Sequence, residues 1–283
     1  MVSATSGINI PSLSASQFNT VYNLFSLVIA SMVFTALYLL FSQRRVTPRY
    51  RNAVVISAIV CGIAAYHYFR IFDNFKASYP PGKAVTAAHL LSAVQFNEAY
   101  RYVDWFLTVP LLLIETIAVM ALARAEQRTL LYKLVPSSAL MIALGYPGEI
   151  ATATGTRLLF GILSTIPFLY IIYVLFVELS RSVARQPREV QGMIKGLRVA
   201  LVALWCVYPI AFAFPIIGGS FFGGASGFVL RQAGYSIADI LAKAAYGLVI
   251  FRIARVKSGL EDVSYSDDHS VVEASEPVRA RVA

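Results

Sequence analysis

The chain has 283 residues, of which 58 % are hydrophobic and only 14 % charged. A soluble protein of this length needs more charge to cover its surface, so a large soluble core is set aside. Lys and Arg total 24 against 15 Asp and Glu, for a formal net charge of +9. These charges sit mainly at segment ends and in the C-terminal tail, without zinc-finger spacing or a basic helix carrying an aromatic platform, which argues against nucleic acid as a partner.

The N-terminal stretch MVSATSGINIPSLSAS lacks the basic start and apolar run of a signal peptide, and the first cation is Arg44. The first membrane segment is therefore expected to be retained. Apolar segments follow at about 18–41, 50–72, 97–122, 129–147, 155–179, 193–217 and 231–254. Each is near the length that crosses a bilayer as a helix. The polar breaks FSQRRVTPRYR, ARAEQR, GYPGEIATATG and SRSVARQPREVQ fit short turns between them. The expected fold is an all-α membrane protein: an outer segment 1–17, a seven-helix domain 18–254 and a disordered cytoplasmic tail 255–283, in which His269 needs no special role. The longer connection 73–95 has room for a small surface hairpin. GGSFFGG in 218–229 reads as a flexible turn and not a phosphate loop, since no GK[ST] follows. Cys61 and Cys206 lie in apolar surroundings and read as packing residues.

Cations set the direction. Arg44, Arg45, Arg49 and Arg51 lie in the first loop, Arg124 and Arg128 in the third, and Arg181, Arg185 and Arg188 in the fifth. The alternate loops carry fewer, so the positive-inside rule puts the N-terminus outside and the C-terminus in the cytoplasm.

The third segment, RYVDWFLTVPLLLIETI (101–117), holds two acids, Asp104 and Glu115, eleven residues apart. Eleven helical steps of about 100° return almost to the starting angle and advance about 16 Å. The acids therefore share a face at two depths, Asp104 in the outer half and Glu115 in the inner half. Thr108 lies one turn from Asp104, Arg101 precedes it by three residues, and Pro110 stands between the acids as a candidate kink site. Membrane carboxylates are costly and mark an interior path or partner. Pairing between helices is the plain alternative.

The seventh segment supplies a cation. In SIADILAKAAYGLVI, Asp239 and Lys243 stand at i,i+4 near the helix midpoint. A buried lysine there must be neutralised, paired or chemically modified, and one use is a Schiff base with an aldehyde. On the sixth segment, Trp205, Tyr208 and Phe212 in LWCVYPIAF line one face, and Trp105 on the third can wall a flat apolar cofactor linked to Lys243. A helix-packing stripe and an ordinary Asp–Lys pair are the alternatives at this point.

Taken together, RYVDWFLTVPLLLIE, HYFRIF, GYPGEI, STIPFLYIIYVLF, LWCVYPIAF and ADILAK resemble the microbial rhodopsins over roughly 18–254, and most of all the eubacterial light-driven proton pumps of the proteorhodopsin and xanthorhodopsin type. The resemblance implies all-trans retinal on Lys243. It implies Asp104 as primary counterion and proton acceptor, Thr108 as the middle of the pump triplet and Glu115 as cytoplasmic proton donor. Asp239 matches the second counterion, Arg101 the outer arginine that gates release, and His67 the histidine that pairs with the acceptor aspartate. Tyr68 and Tyr208 match tyrosines bonded to Asp239; Trp105, Trp205 and Phe212 match retinal walls; Leu112 matches the green-tuning leucine. Gly161 in LLFGILSTIPF matches the glycine that opens a window for a carotenoid antenna, with close helix packing as the alternative. The family also implies the lipid bilayer of a bacterial inner membrane as setting, protons as cargo and a homo-oligomer.

One departure is visible. Between Tyr208 and Asp239 there is no Asp or Glu, and Arg231 stands where archaeal pumps carry one of their paired outer glutamates; Glu149 of GYPGE has no assigned task beyond packing. A chloride pump is disfavoured by the carboxylate at 104, and a sodium pump by the absence of Asn there and Gln at 115. A sensory rhodopsin is the main rival to a pump, and a retinal-free transporter the rival of a different class.

Overall fold

The computed structural model describes residues 11–79 and 96–266, and these hold seven long helices. They are α1 (Ala15–Ser42), α2 (Pro48–Ser78), α3 (Tyr100–Met120), α4 (Arg124–Ile150), α5 (Thr154–Ala184), α6 (Arg188–Ile217) and α7 (225–261). The sequence explains where several of them begin and bend. Ser14 and Gln17 form a reciprocal capping box at the start of α1. Pro48 opens α2 at a position where no backbone N–H is needed. In α6 the helix breaks at Cys206, because Pro209 has no N–H to offer the Trp205 carbonyl.

The first six helices are long and apolar enough to cross a membrane. α7 is interrupted in its middle by Asp239 and Lys243. Each helix packs on its neighbour in sequence, and α7 closes the ring against α1 and α2. The usual inside-out order of a soluble protein is reversed. Phe41 is 82 % exposed on the outer face, whereas Arg101, Asp104, Glu115, Asp239 and Lys243 are each at most 2 % exposed. With no water in the bilayer core, charge has only the bundle interior in which to find partners.

Three expectations need correction. The sequence reading starts a polar tail at 255, but α7 runs on to 261 and its last turns are buried. Their polar side chains serve neighbouring helix ends. Lys257 Nζ donates to the carbonyls of Val119 (3.0 Å) and Met120 (2.9 Å) and to Gln186 Oε1 (2.8 Å). Ser258 Oγ accepts from the Thr47 N–H at 2.9 Å, and Arg255 donates to the Arg45 carbonyl. These groups fill terminal backbone valences and are not a solvated tail. GGSFFGG is also not a loose turn. Gly218 (φ +66°) and Gly219 (φ +76°) take left-handed backbone, which glycine adopts freely, and Gly219–Phe222 forms one short helical turn before α7 begins. Of the connection 73–95, residues 73–78 belong to α2, while 80–95 and His269 lie outside the described residues.

Candidate functional site

The site is built around a wide turn of α7. Residues Ile240–Ala245 form a π-helical segment, a feature that concentrates at functional positions, and Lys243 lies within it. Lys243 Nζ donates to Asp104 Oδ2 of α3 and lies 3.2 Å from Asp239 Oδ1. Asp239 is held from two further helices: the Tyr208 hydroxyl donates to Oδ1 at 2.5 Å, and the Tyr68 hydroxyl to Oδ2 at 2.7 Å. Asp104 has only the lysine, and its Oδ1 has no partner among the described residues. The Thr108 hydroxyl donates back to the Asp104 carbonyl at 2.9 Å, which fixes the helix turn beneath the carboxylate. The two aspartates thus differ in kind: one is anchored by three donors, the other by the lysine alone.

Arg101 lies one turn before Asp104 on α3 and makes its hydrogen bond elsewhere. Its Nη2 donates to Gln232 Oε1 at 2.6 Å, and its guanidinium lies 5.1 Å from the Tyr235 ring centroid. Gln232 Nε2 donates in turn to Glu98, whose other oxygen pairs with Arg231 at 2.7 Å. A continuous polar chain therefore runs from Arg101 to the end of the bundle at which α3 begins. Its carboxylate comes from the segment before α3, and this is how a helix with Arg231 in place of an acid still meets one.

The cavity beside Lys243 has a volume of about 850 Å³, its open mouth included. Trp105, Leu112, Trp205, Tyr208, Phe212 and Gly161 all line it, joined by Tyr102, Met141, Thr165, Phe168 and Tyr235, which sequence reasoning did not single out. The Trp105 ring lies 4.8 Å from that of Tyr208 and 5.5 Å from that of Tyr235, both edge to face, so one wall is a cluster of aromatics. At Gly161 an added Cβ would stand 3.1 Å from Phe212 Cε1. Tyr68 is not part of the wall; it acts on Asp239 from α2. An elongated apolar aldehyde fits this site on two counts. The walls are flat and apolar, and the one amine that lines them among the described residues, Lys243, is buried between two carboxylates.

Glu115 lies eleven residues beyond Asp104 on α3, fully buried, with neither carboxyl oxygen in an ordinary hydrogen bond among the described residues. Ser57 of α2 faces it, but the Ser57 hydroxyl donates to the Ala53 carbonyl at 3.1 Å. His67 is buried on α2, and neither ring nitrogen has a partner among the described residues. The hydrogen bond to Asp104 expected of it is not formed here, although Lys243 engages only Oδ2 of Asp104 and leaves Oδ1 without a partner among the described residues.

Three further polar groups escaped sequence reasoning: Gln232, Glu98 and the Thr116–Tyr246 pair. Gln232 carried a usable signal, because it stands seven residues before Asp239 and so shares its face of α7. Glu98 carried none, since its place depends on how the loop enters α3.

Residues 19–256 match the family described as bacteriorhodopsin-like protein, and the chain belongs to that family. It is 30 % identical to archaerhodopsin-2 of Halobacterium sp. (strain aus-2) over 203 residues, 71 % of this chain and 72 % of that one. It is 26 % identical to the green-light absorbing proteorhodopsin of Gamma-proteobacterium EBAC31A08 over 243 residues, 86 % of this chain and 88 % of that one. Among solved structures, thermophilic rhodopsin superposes with a TM-score of 0.83 at 42 % identity, covering 89 % of this chain and 99 % of its own. Xanthorhodopsin, a light-driven ion pump with dual chromophore, superposes at 0.82 and 41 % identity with the same coverage. The all-α, multi-pass rhodopsin bundle is thereby established.

Proposed function

We propose that this member of the bacteriorhodopsin-like family is a light-driven outward proton pump of the proteorhodopsin and xanthorhodopsin type, carrying all-trans retinal on Lys243 as a protonated Schiff base. The observation that carries the reading is the placement of Lys243. Its nitrogen is buried at an aromatic cavity, with Asp104 against it and Glu115 farther in along the same helix. When bound, retinal supplies a light-driven change of shape that reorients the Lys243 nitrogen and alters its hold on a proton.

The chain's own residues give that event a direction. Asp104, with one free oxygen, accepts a proton from the lysine nitrogen on the outer side. Asp239, with both oxygens engaged by Tyr68 and Tyr208, serves as the second counterion. His67 is assigned as the partner that Asp104 takes up when the lysine nitrogen is neutral. Arg101 carries the outward signal through Gln232 toward Glu98, and Glu115 returns a proton to the nitrogen from the inner side. The cation bias of the loops supports an outside N-terminus and a cytoplasmic C-terminus in a bacterial inner membrane. Leu112 against the cavity supports green absorption. Gly161, which leaves Phe212 uncovered, supports a carotenoid laid against the retinal ring.

Expression with retinal followed by recording of external pH in light tests the proposal. The expected result is acidification abolished by a protonophore, with a visible band bleached by hydroxylamine and absent in Lys243→Ala. A normal photocycle with no pH change would instead favour sensing, and the absence of any visible band would sink the retinal reading.

A further inference from the structure

The last turns of α7 carry an ammonium whose three hydrogens each have an acceptor. Lys257 Nζ donates to the Val119 and Met120 carbonyls at the end of α3, at 3.0 and 2.9 Å, and to Gln186 Oε1 in the α5–α6 turn at 2.8 Å. The Tyr50 ring, in the first turn of α2, lies 4.7 Å from the same nitrogen. Four parts of the bundle thus meet on one side chain. Val119, Met120 and Tyr50 are 1 % exposed and Lys257 5 %, so the layer they form is closed to solvent. Glu115 stands five residues before Met120, about 7.5 Å along the α3 axis. The layer therefore lies between Glu115 and the bundle end at which α3 stops. A proton coming to Glu115 from that end needs the layer to part.

The three bonds of Lys257 are not equally able to part. Two go to the backbone of α3, a long helix packed on both its neighbours. The third goes to the tip of a side chain on a short turn. That turn is tied to itself. The Gln186 N–H donates to the Val183 carbonyl at 3.0 Å, and the Gln191 amide donates to the carbonyls of Ala184 (3.2 Å) and Gln186 (2.8 Å). It is also held to the first turn of α4, where Ser182 and Arg185 both donate to Glu126. The turn can therefore move as a unit, anchored at α4 and caught at Lys257.

We infer that Lys257 and Gln186 are positioning residues that form a catch on the refilling path: their bond holds the α5–α6 turn against the end of α3 and breaks when Glu115 takes up a proton. The inference rests on the reading of Glu115 as a donor refilled from that end.

The test is the flash-induced pH change of the full-length, retinal-loaded protein in lipid nanodiscs, with a soluble pH dye reading proton uptake. Gln186→Leu leaves Lys257 its two α3 carbonyls and removes the catch. It is expected to speed uptake by roughly tenfold, the scale of one hydrogen bond to a charged group lost from the closed state. Gln186→Glu gives the ammonium a carboxylate and is expected to slow uptake by a similar factor. In a Lys257→Met background the two variants should take up protons at the same rate. The dark visible band and the rate at which the Lys243 nitrogen first loses its proton should stay as in the parent. Gln186→Ala serves the same arm if leucine does not fold. Uptake unmoved by Gln186→Leu, faster uptake in Gln186→Glu, or a difference between the two that persists without Lys257 overturns the inference. So does a change in the dark band or in deprotonation as large as that in uptake, which would mark a general loosening of the bundle. Failure of the donor reading is distinguishable, because it appears as an unchanged reprotonation rate in Glu115→Gln while the dye still reports uptake in the Gln186 series.

Discussion

Asp104 and Asp239 both face Lys243, yet changing each to asparagine should have unequal costs. In Asp104→Asn the new side chain can keep its carbonyl on Lys243 and place its amide nitrogen where Oδ1 now has no partner. The hydrogen bond from the ammonium is kept while the opposite charge is lost, a difference of about 1–2 kcal/mol, and the amide N–H meets no opposing donor. Asp239→Asn leaves no such choice. Oδ2 accepts from Tyr68, and Oδ1 from Tyr208 with Lys243 at 3.2 Å, so an amide keeps its carbonyl on Tyr208 and Lys243 only by turning its N–H to Tyr68, whose hydroxyl must then donate to the Tyr235 carbonyl at 3.3 Å instead. Losing the bond accepted from Tyr68 and turning the one from Tyr208 from charge-assisted to neutral costs about 3–5 kcal/mol. For a chain of this size the two substitutions should lower the midpoint of thermal unfolding in detergent by roughly 5 °C and 10–15 °C respectively. Asp104→Asn should nevertheless be the one that stops transport outright and shifts the band red, because it removes the acceptor while sparing the scaffold. The paired assay is thermal unfolding beside light-driven pH change. Equal destabilisation, or transport that survives in Asp104→Asn, would refute the division of labour between the two carboxylates.

Glu115→Gln should leave the colour and fold intact and slow reprotonation of the lysine nitrogen by about 100-fold or more, as loss of a positioned proton donor does; flash photolysis reads the decay directly. Gly161→Ala should be tolerated, since Phe212 need yield only slightly to a Cβ at 3.1 Å and alanine favours the helix by about 1 kcal/mol. Gly161→Phe should abolish carotenoid-sensitised excitation while the retinal band persists, and an excitation spectrum that keeps its carotenoid peaks would remove Gly161 from that role. Lys257→Met should lower the thermal midpoint by several degrees, because the carbonyls of Val119 and Met120 and the Gln186 amide lose their shared donor, at about 2–4 kcal/mol in total. An unchanged midpoint would mean that water replaces the ammonium at no cost.

The parts of the site that could be read from sequence are those governed by helical periodicity. Asp104 and Glu115 on one face, Asp239 and Lys243 one turn apart, and the Trp205–Tyr208–Phe212 stripe all follow from about 3.6 residues per turn. The parts that could not be read depend on which helix ends meet. Lys257 and Ser258 look like the start of a polar tail until the α3 carbonyls and the Thr47 N–H are seen to need them. Glu98 looks like a loop residue until Gln232 and Arg231 reach it. The direction of a hydroxyl hydrogen is a further step removed. Thr116 and Tyr246 read as an ordinary polar residue and an ordinary aromatic, and only the second bond of Thr116, to Leu112, decides which of them donates. Composition and spacing thus place the charges in this membrane bundle. What each charge can exchange is set by the neutral hydroxyls and amides around it, whose partners come from other helices. The two acids of α3 illustrate this: they share a face and a helix, and they differ because Asp104 meets an ammonium donor while neither oxygen of Glu115 is in an ordinary hydrogen bond among the described residues.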